Sequence, residues 1–186
     1  MMRIITGSAR GTRLLAPEGL NTRPTSERAK MGIFNILQFQ ISGRRVLDLF
    51  AGSGQMALEA LSRGADSALL CDLDENACRC IDENIRRTHM EGRARRLCGD
   101  FHKLLRTLPA TEPFDLVFLD PPYRSDMITD ALVLLLRHQL LSDDAIIVLE
   151  TDGRAVTPPP SLSILRTISY GKNHFTLLTP RQGETT

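Results

Sequence analysis

The sequence lacks the features that mark several large classes of protein. No run approaches the roughly 18 apolar residues that a membrane helix needs. The opening Met1-Met2-Arg3-Ile4-Ile5-Thr6-Gly7 has too short an apolar stretch for a secretory signal, so a cytoplasmic location is expected. Cys71, Cys78, Cys80 and Cys98 show neither CxxC spacing nor a small disulfide framework, which predicts buried or half-buried reduced thiols. His89, His102, His138 and His174 are scattered without ligand spacing, so no metal is expected. Internal repeats and low-complexity tracts are absent. Net charge is only +1, which by itself argues against a strong polyanion binder.

The distribution of that charge says otherwise. Residues 1–45 carry Arg3, Arg10, Arg13, Arg23, Arg28, Lys30, Arg44 and Arg45 against Glu18 and Glu27, a balance of +6 that leaves −5 for the rest. A basic arm on a mildly acidic body is the asymmetry expected when one end meets a polyanion. At 186 residues, 42% apolar and 24% charged, the chain has the size and composition of one soluble globular domain.

Short apolar runs at 3–6 and 12–15 flank Gly7-Ser8-Ala9-Arg10-Gly11, which reads as a hairpin with a basic tip. Pro17 to Pro24 is loop. Thr25 or Ser26 can then cap a helix running to about Phe39, with Ala29, Ile33, Phe34 and Leu37 on one face. Residues 1–44 thus form a basic extension, and 45–186 the main domain. From residue 45, strands near 45–50, 67–71, 94–98, 114–119 and 145–150 alternate with helices near 55–63, 75–88, 101–108 and 126–137. Such alternation predicts a parallel α/β sheet with helices on both faces. After Pro158-Pro159-Pro160, runs at 162–170 and 174–179 are joined across Gly171-Lys172-Asn173, short enough for an antiparallel closing pair.

Val46-Leu47-Asp48-Leu49-Phe50-Ala51-Gly52-Ser53-Gly54 is a strand running into a glycine turn at a helix start. Glycines let the backbone approach a ligand, and the helix N-terminus presents free N–H groups. Ligands of open α/β sheets bind at the carboxyl ends of such strands. Gly52-x-Gly54-x-x-Ala57, with Asp72 downstream to hold ribose hydroxyls, fits a nicotinamide dinucleotide as well as an adenosyl cofactor. Asp48 shifts the balance, because a carboxylate there suits a cationic sulfonium and its α-amino group and would repel a pyrophosphate.

Phe114 to Leu119 reads as a buried strand ending in Asp120-Pro121-Pro122-Tyr123. The two prolines fix the backbone, so the Asp120 side chain and the Pro121 carbonyl are held as rigid acceptors. An exocyclic base amine is a poor nucleophile because its lone pair is delocalised into the ring. Two rigid acceptors can bind its N–H bonds and turn that lone pair towards a methyl donor. Tyr123 offers a face on which an extruded base can stack. A hydride-transfer enzyme has no use for this loop, which leaves an NAD-dependent oxidoreductase as a distant alternative. A non-catalytic RNA-binding module is a third reading.

Taken together, the motifs resemble the bacterial 16S ribosomal RNA guanine-N2 methyltransferases. The resemblance rests on Arg3-Ile4-Ile5-x-Gly7 with Gly11, Arg23-Pro24-Thr25-x-x-Arg28, and Phe34-Asn35-x-Leu37. It continues through Asp48 to Gly54, Glu59-Ala60-Leu61-Ser62-Arg63-Gly64-Ala65, Asp120 to Tyr123, and Tyr170-Gly171. The Asp-Pro-Pro-Tyr motif is shared with adenine-N6 enzymes, and a close variant with protein-glutamine methyltransferases. The likeness implies a Rossmann-like fold with a mostly parallel seven-stranded sheet, one antiparallel strand, and an N-terminal β-hairpin and helix. It implies S-adenosylmethionine as donor and a 16S rRNA guanine as acceptor, naked or in the assembled small-subunit particle, for a monomeric enzyme without metal. By position, Asp48, Phe50, Ala51, Gly52, Ser53 and Gly54 would line the methionine end of the cofactor. Asp72 with Leu73 would meet the ribose, and Asp100 with Phe101 the adenine. Asp120, Pro121, Pro122 and Tyr123 would be catalytic. Arg10, Arg13, Arg23, Thr25 and Arg28 would meet RNA, setting register rather than reading bases.

Overall fold

The computed structural model describes residues 2–17, 27–122, 125–151, 153 and 155–181. After α1 (Glu27–Ile36) the chain alternates β1 (Arg45–Asp48), α2 (Gln55–Ser62), β2 (Ser67–Asp72), α3 (Glu75–Arg87) and β3 (Ala94–Cys98). It continues through α4 (Phe101–Thr107), β4 (Phe114–Leu119), α5 (Ser125–Arg137), β5 (Leu141–Thr151), β6 (Leu162–Tyr170) and β7 (Asn173–Pro180). The strands form one sheet in the order β3-β2-β1-β4-β5-β7-β6, with β7 antiparallel to both neighbours. This is the expected Rossmann-like architecture.

Two boundaries differ from expectation. β5 begins at Leu141 rather than near residue 145, because Phe114 pairs with Leu141 and an irregularity before Leu116 absorbs the extra residues. α1 stops at Ile36 rather than near Phe39. Leu37 and Ile41 stay in the core while the turn between them throws Phe39 outward, 91% exposed. Thr25 and Ser26, the expected caps of α1, lie outside the described residues.

Alternation along each strand divides the core into two layers. Val46, Leu70, Leu116, Phe118, Ile146 and Val148 face the layer shared with the N-terminal segment, α1, α2 and α3. Leu47, Leu69, Val117, Leu119, Ile147 and Leu149 face α4 and α5. The expected hairpin is present as a single antiparallel bridge between Arg3 and Arg13, closed by Ile4 N–H to the Thr12 carbonyl at 3.0 Å. Its Ile4, Ala9 and Leu14 side chains belong to the same core as the sheet.

A polar node locks this hairpin down. The Glu59 carboxylate accepts from the Ile5 N–H at 2.7 Å, the Thr6 N–H at 3.0 Å and Arg63 Nε at 2.9 Å. Lys30 Nζ stands 3.5 Å from Glu59 and donates to the Arg3 carbonyl at 2.7 Å. Gly7, at φ +89°, lies so close to Ser62 that an added Cβ would sit 1.8 Å from its carbonyl oxygen. That approach lets the Ser8 N–H donate to the same oxygen at 2.8 Å.

This node corrects the reading of the basic arm. Lys30, counted there among cations free to meet a polyanion, is 1% exposed. Desolvation lowers its pKa, and Glu59 works against that shift. Arg44 and Arg45 are likewise engaged, with Asp144 at 2.8 Å and Glu112 at 2.9 Å. The cysteine expectation also needs correction. Cys78, in the first turns of α3, is disulfide-bonded to Cys98 at the end of β3, their Cα atoms 6.0 Å apart. Packing α3 against β3 brings together two positions that sequence spacing leaves unrelated. Cys71 and Cys80 are the free, buried thiols expected.

Candidate active site

β1 and β4 are neighbours in the sheet, yet α2 covers one face after β1 and α5 the other after β4. The crevice of a doubly wound sheet opens at such a reversal, beyond the carboxyl ends of the strands. Asp48 ends β1 there, and Asp120 follows β4 directly.

The glycine loop is built as the sequence predicts. Gly52 and Gly54 both hold positive φ, +55° and +77°. A Cβ on Gly54 would meet Leu70 at 2.7 Å, so its absence permits close packing of loop on sheet. A Cβ on Gly52 would meet nothing, so the front of the loop is open. Gly54 caps α2 without a side-chain bond, and the Ala57 N–H instead donates to Asp48 Oδ2 at 3.2 Å. Asp48 is buried. Burial pushes its carboxyl up to about 7, the charge of Asp72 adds to the rise, and the Ala57 bond opposes it.

Asp72 has a second task beside the one expected of it. Its Oδ2 accepts from the Gly52 N–H at 2.8 Å and its Oδ1 from the Asp74 N–H at 3.0 Å, which braces the loop. Ser53 points inward, its hydroxyl against Met2 Sδ at 3.0 Å and its carbonyl accepting from Asn84 Nδ2 at 2.9 Å. The Asn84 side chain also exchanges hydrogen bonds with the Leu15 backbone, accepting at 2.8 Å and donating at 3.0 Å. Asn84 thereby ties the N-terminal segment to the glycine loop.

Between β3 and α4, Asp100 caps α4 and accepts from the His102 N–H at 2.8 Å and His102 Nδ1 at 3.0 Å. That backbone bond, then the His102 ring, hold its carboxyl below the usual range. Phe101 is buried, edge-on to Phe50 at 5.3 Å between ring centres. Leu73 is 72% exposed on the loop leaving β2.

Asp48, Phe50, Ala51 and Asp120 line one narrow cleft. Gln55, Met56, Glu150 and Phe175 line it too, and the sequence reading missed all four. Glu150 had a findable signal, since it stands one residue before the end of β5, beside the strand that Asp120 follows. Desolvation, then the negative charges of Glu150 and Asp48, push the Asp120 carboxyl well above its ordinary range. Asp120 keeps an exposed edge at the cleft mouth, so water screens part of that rise. Pro121 is buried and Pro122 exposed, while Tyr123 lies outside the described residues.

Arg10, Arg13 and Arg28 are exposed, as an RNA contact requires, while Arg23 and Thr25 lie outside the described residues. Among the described residues no cluster of His, Cys, Asp and Glu could hold a metal ion. No described helix is long and apolar enough to cross a membrane.

The family described as conserved hypothetical protein 95 matches residues 2–179. Over 151 residues the chain is 35% identical to ribosomal RNA small subunit methyltransferase D of Escherichia coli (strain K12), covering 81% of this chain and 75% of that protein. The chain belongs to this methyltransferase D-like family. Another relative is YlbH of Bacillus subtilis (strain 168), provisionally named an rRNA methyltransferase. It is 36% identical over 173 residues, which cover 91% of this chain and 94% of YlbH. The solved structure of yhhF from Escherichia coli, provisionally named a methyltransferase, matches with a TM-score of 0.86 at 34% identity, covering 96% of this chain and 97% of that one. In this chain the glycine turn after β1 and Asp120 after β4 stand at the carboxyl edge of neighbouring strands of one sheet.

Proposed function

We propose that the protein transfers a methyl group from S-adenosylmethionine to the exocyclic N2 amine of a guanine in 16S ribosomal RNA. One observation carries this reading: Asp48 and Asp120 line a single cleft with Phe50 and Ala51, which lead into a glycine turn where Gly52 faces open space. The donor set fits the cofactor, since a cleft with an excess of carboxylates favours a sulfonium and an ammonium over a phosphate. Asp48 and the backbone from Phe50 to Gly54 would hold the methionine end, Asp72 and Leu73 the ribose, and Asp100 and Phe101 the adenine. The cofactor supplies an electrophilic methyl group on a positively charged sulfur.

The chain supplies positioning. Asp120 and the Pro121 carbonyl accept the two N–H bonds of the amine, which turns its lone pair towards the methyl carbon. One N–C bond forms as one S–C bond breaks, and the amine loses a proton. Asp120 is suited to accept it, because its surroundings raise its proton affinity. Pro122 stiffens the loop and Tyr123 stacks on the extruded base. Arg10, Arg13, Arg23, Thr25 and Arg28 set the register of the RNA backbone. The relatives named as ribosomal RNA methyltransferases support that substrate class.

The test is transfer of labelled methyl to naked 16S rRNA and to assembled small-subunit particles, with nucleoside analysis of the product. N2-methylguanosine is expected; N6-methyladenosine or labelled protein would overturn the assignment. Asp120→Ala should lower kcat by a factor on the order of 10²–10³, as for a lost preorganised hydrogen-bond group. Unchanged turnover removes Asp120 from the mechanism.

A further inference from the structure

We propose that Glu150 reads the Watson–Crick edge of the extruded guanine by accepting its N1–H, and so determines base specificity. The inference rests on the guanine-N2 reading above and names the residue that enforces it. Residues 46 and 48, 116 and 118, and 146 and 148 share one face of the sheet, the face of α1 and α2. Continuing that alternation by one step puts Asp120 and Glu150 on the same face as Asp48. β4 and β5 run parallel with Leu119 paired to Leu149, so Asp120 and Glu150 follow side by side at the carboxyl edge. Both line the cleft, and the charge of Glu150 acts on Asp120.

The Glu150 side chain is oriented from a third strand. Asn173, at the start of β7, donates from Nδ2 to Glu150 Oε1 at 2.5 Å. A carboxylate offers about four lone-pair sites, so this bond is compatible with a further donor from a base.

The chemistry then matches guanine and no other common base. Guanine presents N1–H and the N2 amine as adjacent donors on one edge. Adjacent strands lie about 4.8 Å apart, a spacing from which two acceptor side chains can converge on neighbouring donors. Asp120 and the Pro121 carbonyl take the amine hydrogens, and Glu150 takes N1–H. Adenine carries an acceptor at N1, which would face the carboxylate lone pairs and be rejected. A carboxylate crowded against two others is costly for the free protein, and such arrangements are typical of functional sites.

The experiment compares guanine with 2-aminopurine, which keeps the N2 amine but has an unprotonated N1. Each is placed by RNA ligation at the position that the wild-type enzyme methylates. Wild type should favour guanine in kcat/KM by about 10- to 100-fold, the discrimination of one well-placed polar base contact. Glu150→Gln can donate from its amide to the N1 acceptor, so the ratio should fall to near one or invert. S-adenosylmethionine affinity and melting temperature are measured alongside to confirm a folded, cofactor-competent variant. Glu150→Asp keeps an acceptor and should still favour guanine, which gives a second reading if the Gln variant folds poorly.

A wild-type ratio near one overturns the inference, as does a ratio unchanged in Glu150→Gln or lost equally in the Asp variant. Those results leave the guanine-N2 reading standing. A wild-type enzyme that puts no methyl on guanine N2 defeats both.

Discussion

Two places in this molecule hold acidic groups close to the same sheet, one a single carboxylate and the other three, and they treat them in opposite ways. Glu59 is fully buried, and two backbone N–H groups, Arg63 and Lys30 surround it. Its charge is matched from within. At the carboxyl edge, Asp48, Asp120 and Glu150 share a narrow cleft in which Asp48 and Asp120 are driven towards their protonated forms. The first arrangement is self-sufficient and fastens the hairpin to α2. The second crowds carboxylates against one another and suits a cation with hydrogen-bond donors. Charge balance, more than charge count, separates architecture from a binding site here.

The largest effect should come from breaking the self-sufficient node. Glu59→Ala leaves a buried Lys30 and the half-buried N–H groups of Ile5 and Thr6 without their acceptor, which should cost about 3–5 kcal/mol of stability. Denaturant unfolding measures it. The double variant Glu59→Leu/Lys30→Met should recover only the part of that loss due to the stranded Lys30 charge, because the Ile5 and Thr6 N–H groups and Arg63 still lack their acceptor. A single variant as stable as wild type would show that the node contributes little.

The cleft should respond to pH where the node does not. The Asp48 carboxyl rises from its ordinary 3.8 to about 7 in the folded protein. The folded state thus holds a proton that the unfolded chain releases, so this group's stabilising contribution is complete below about pH 4 and lost as pH rises through about 7. A cationic ligand reverses the preference. Affinity for S-adenosylmethionine should therefore climb with pH, by up to about tenfold per unit, and level off above about pH 7. Calorimetry across that range should show proton release on binding, and Asp48→Asn should flatten the profile. Tighter binding on acidification would sink this account of the cleft.

What the sequence made legible was local, and what it hid was pairing across distance. The strand–helix alternation, the glycine turn and the Asp120 loop each lie within one stretch of chain, and each appears where expected. Lys30 was misread even though its spacing from Ile33, Phe34 and Leu37 sets it on the buried stripe of α1. Its charge suggested solvent, and Glu59, 29 positions on, together with the Arg3 carbonyl makes burial tolerable. Cys78 with Cys98, Asn84 with Leu15, and Glu150 with Asn173 likewise meet only after the sheet has assembled. Glu150 was the most recoverable of these, because strand ends at the switch point are where a doubly wound sheet keeps its chemistry.

The smallest expected effect tests the outer surface against the buried node. Arg10 and Arg13 are exposed at the hairpin, whereas Lys30, from the same basic segment, is spent inside. If the arginines contact RNA phosphates, Arg10→Gln and Arg13→Gln should each weaken RNA binding at low salt. Each should also reduce the slope of log affinity against log salt by about one. Lys30→Met should lower stability and leave that slope alone, since a cation already neutralised by Glu59 releases no counterion from RNA. Slopes that fall equally in all three variants would place the electrostatic contact in the fold of the arm as a whole. Slopes that fall only at the tip would make the tip the part that meets the phosphates.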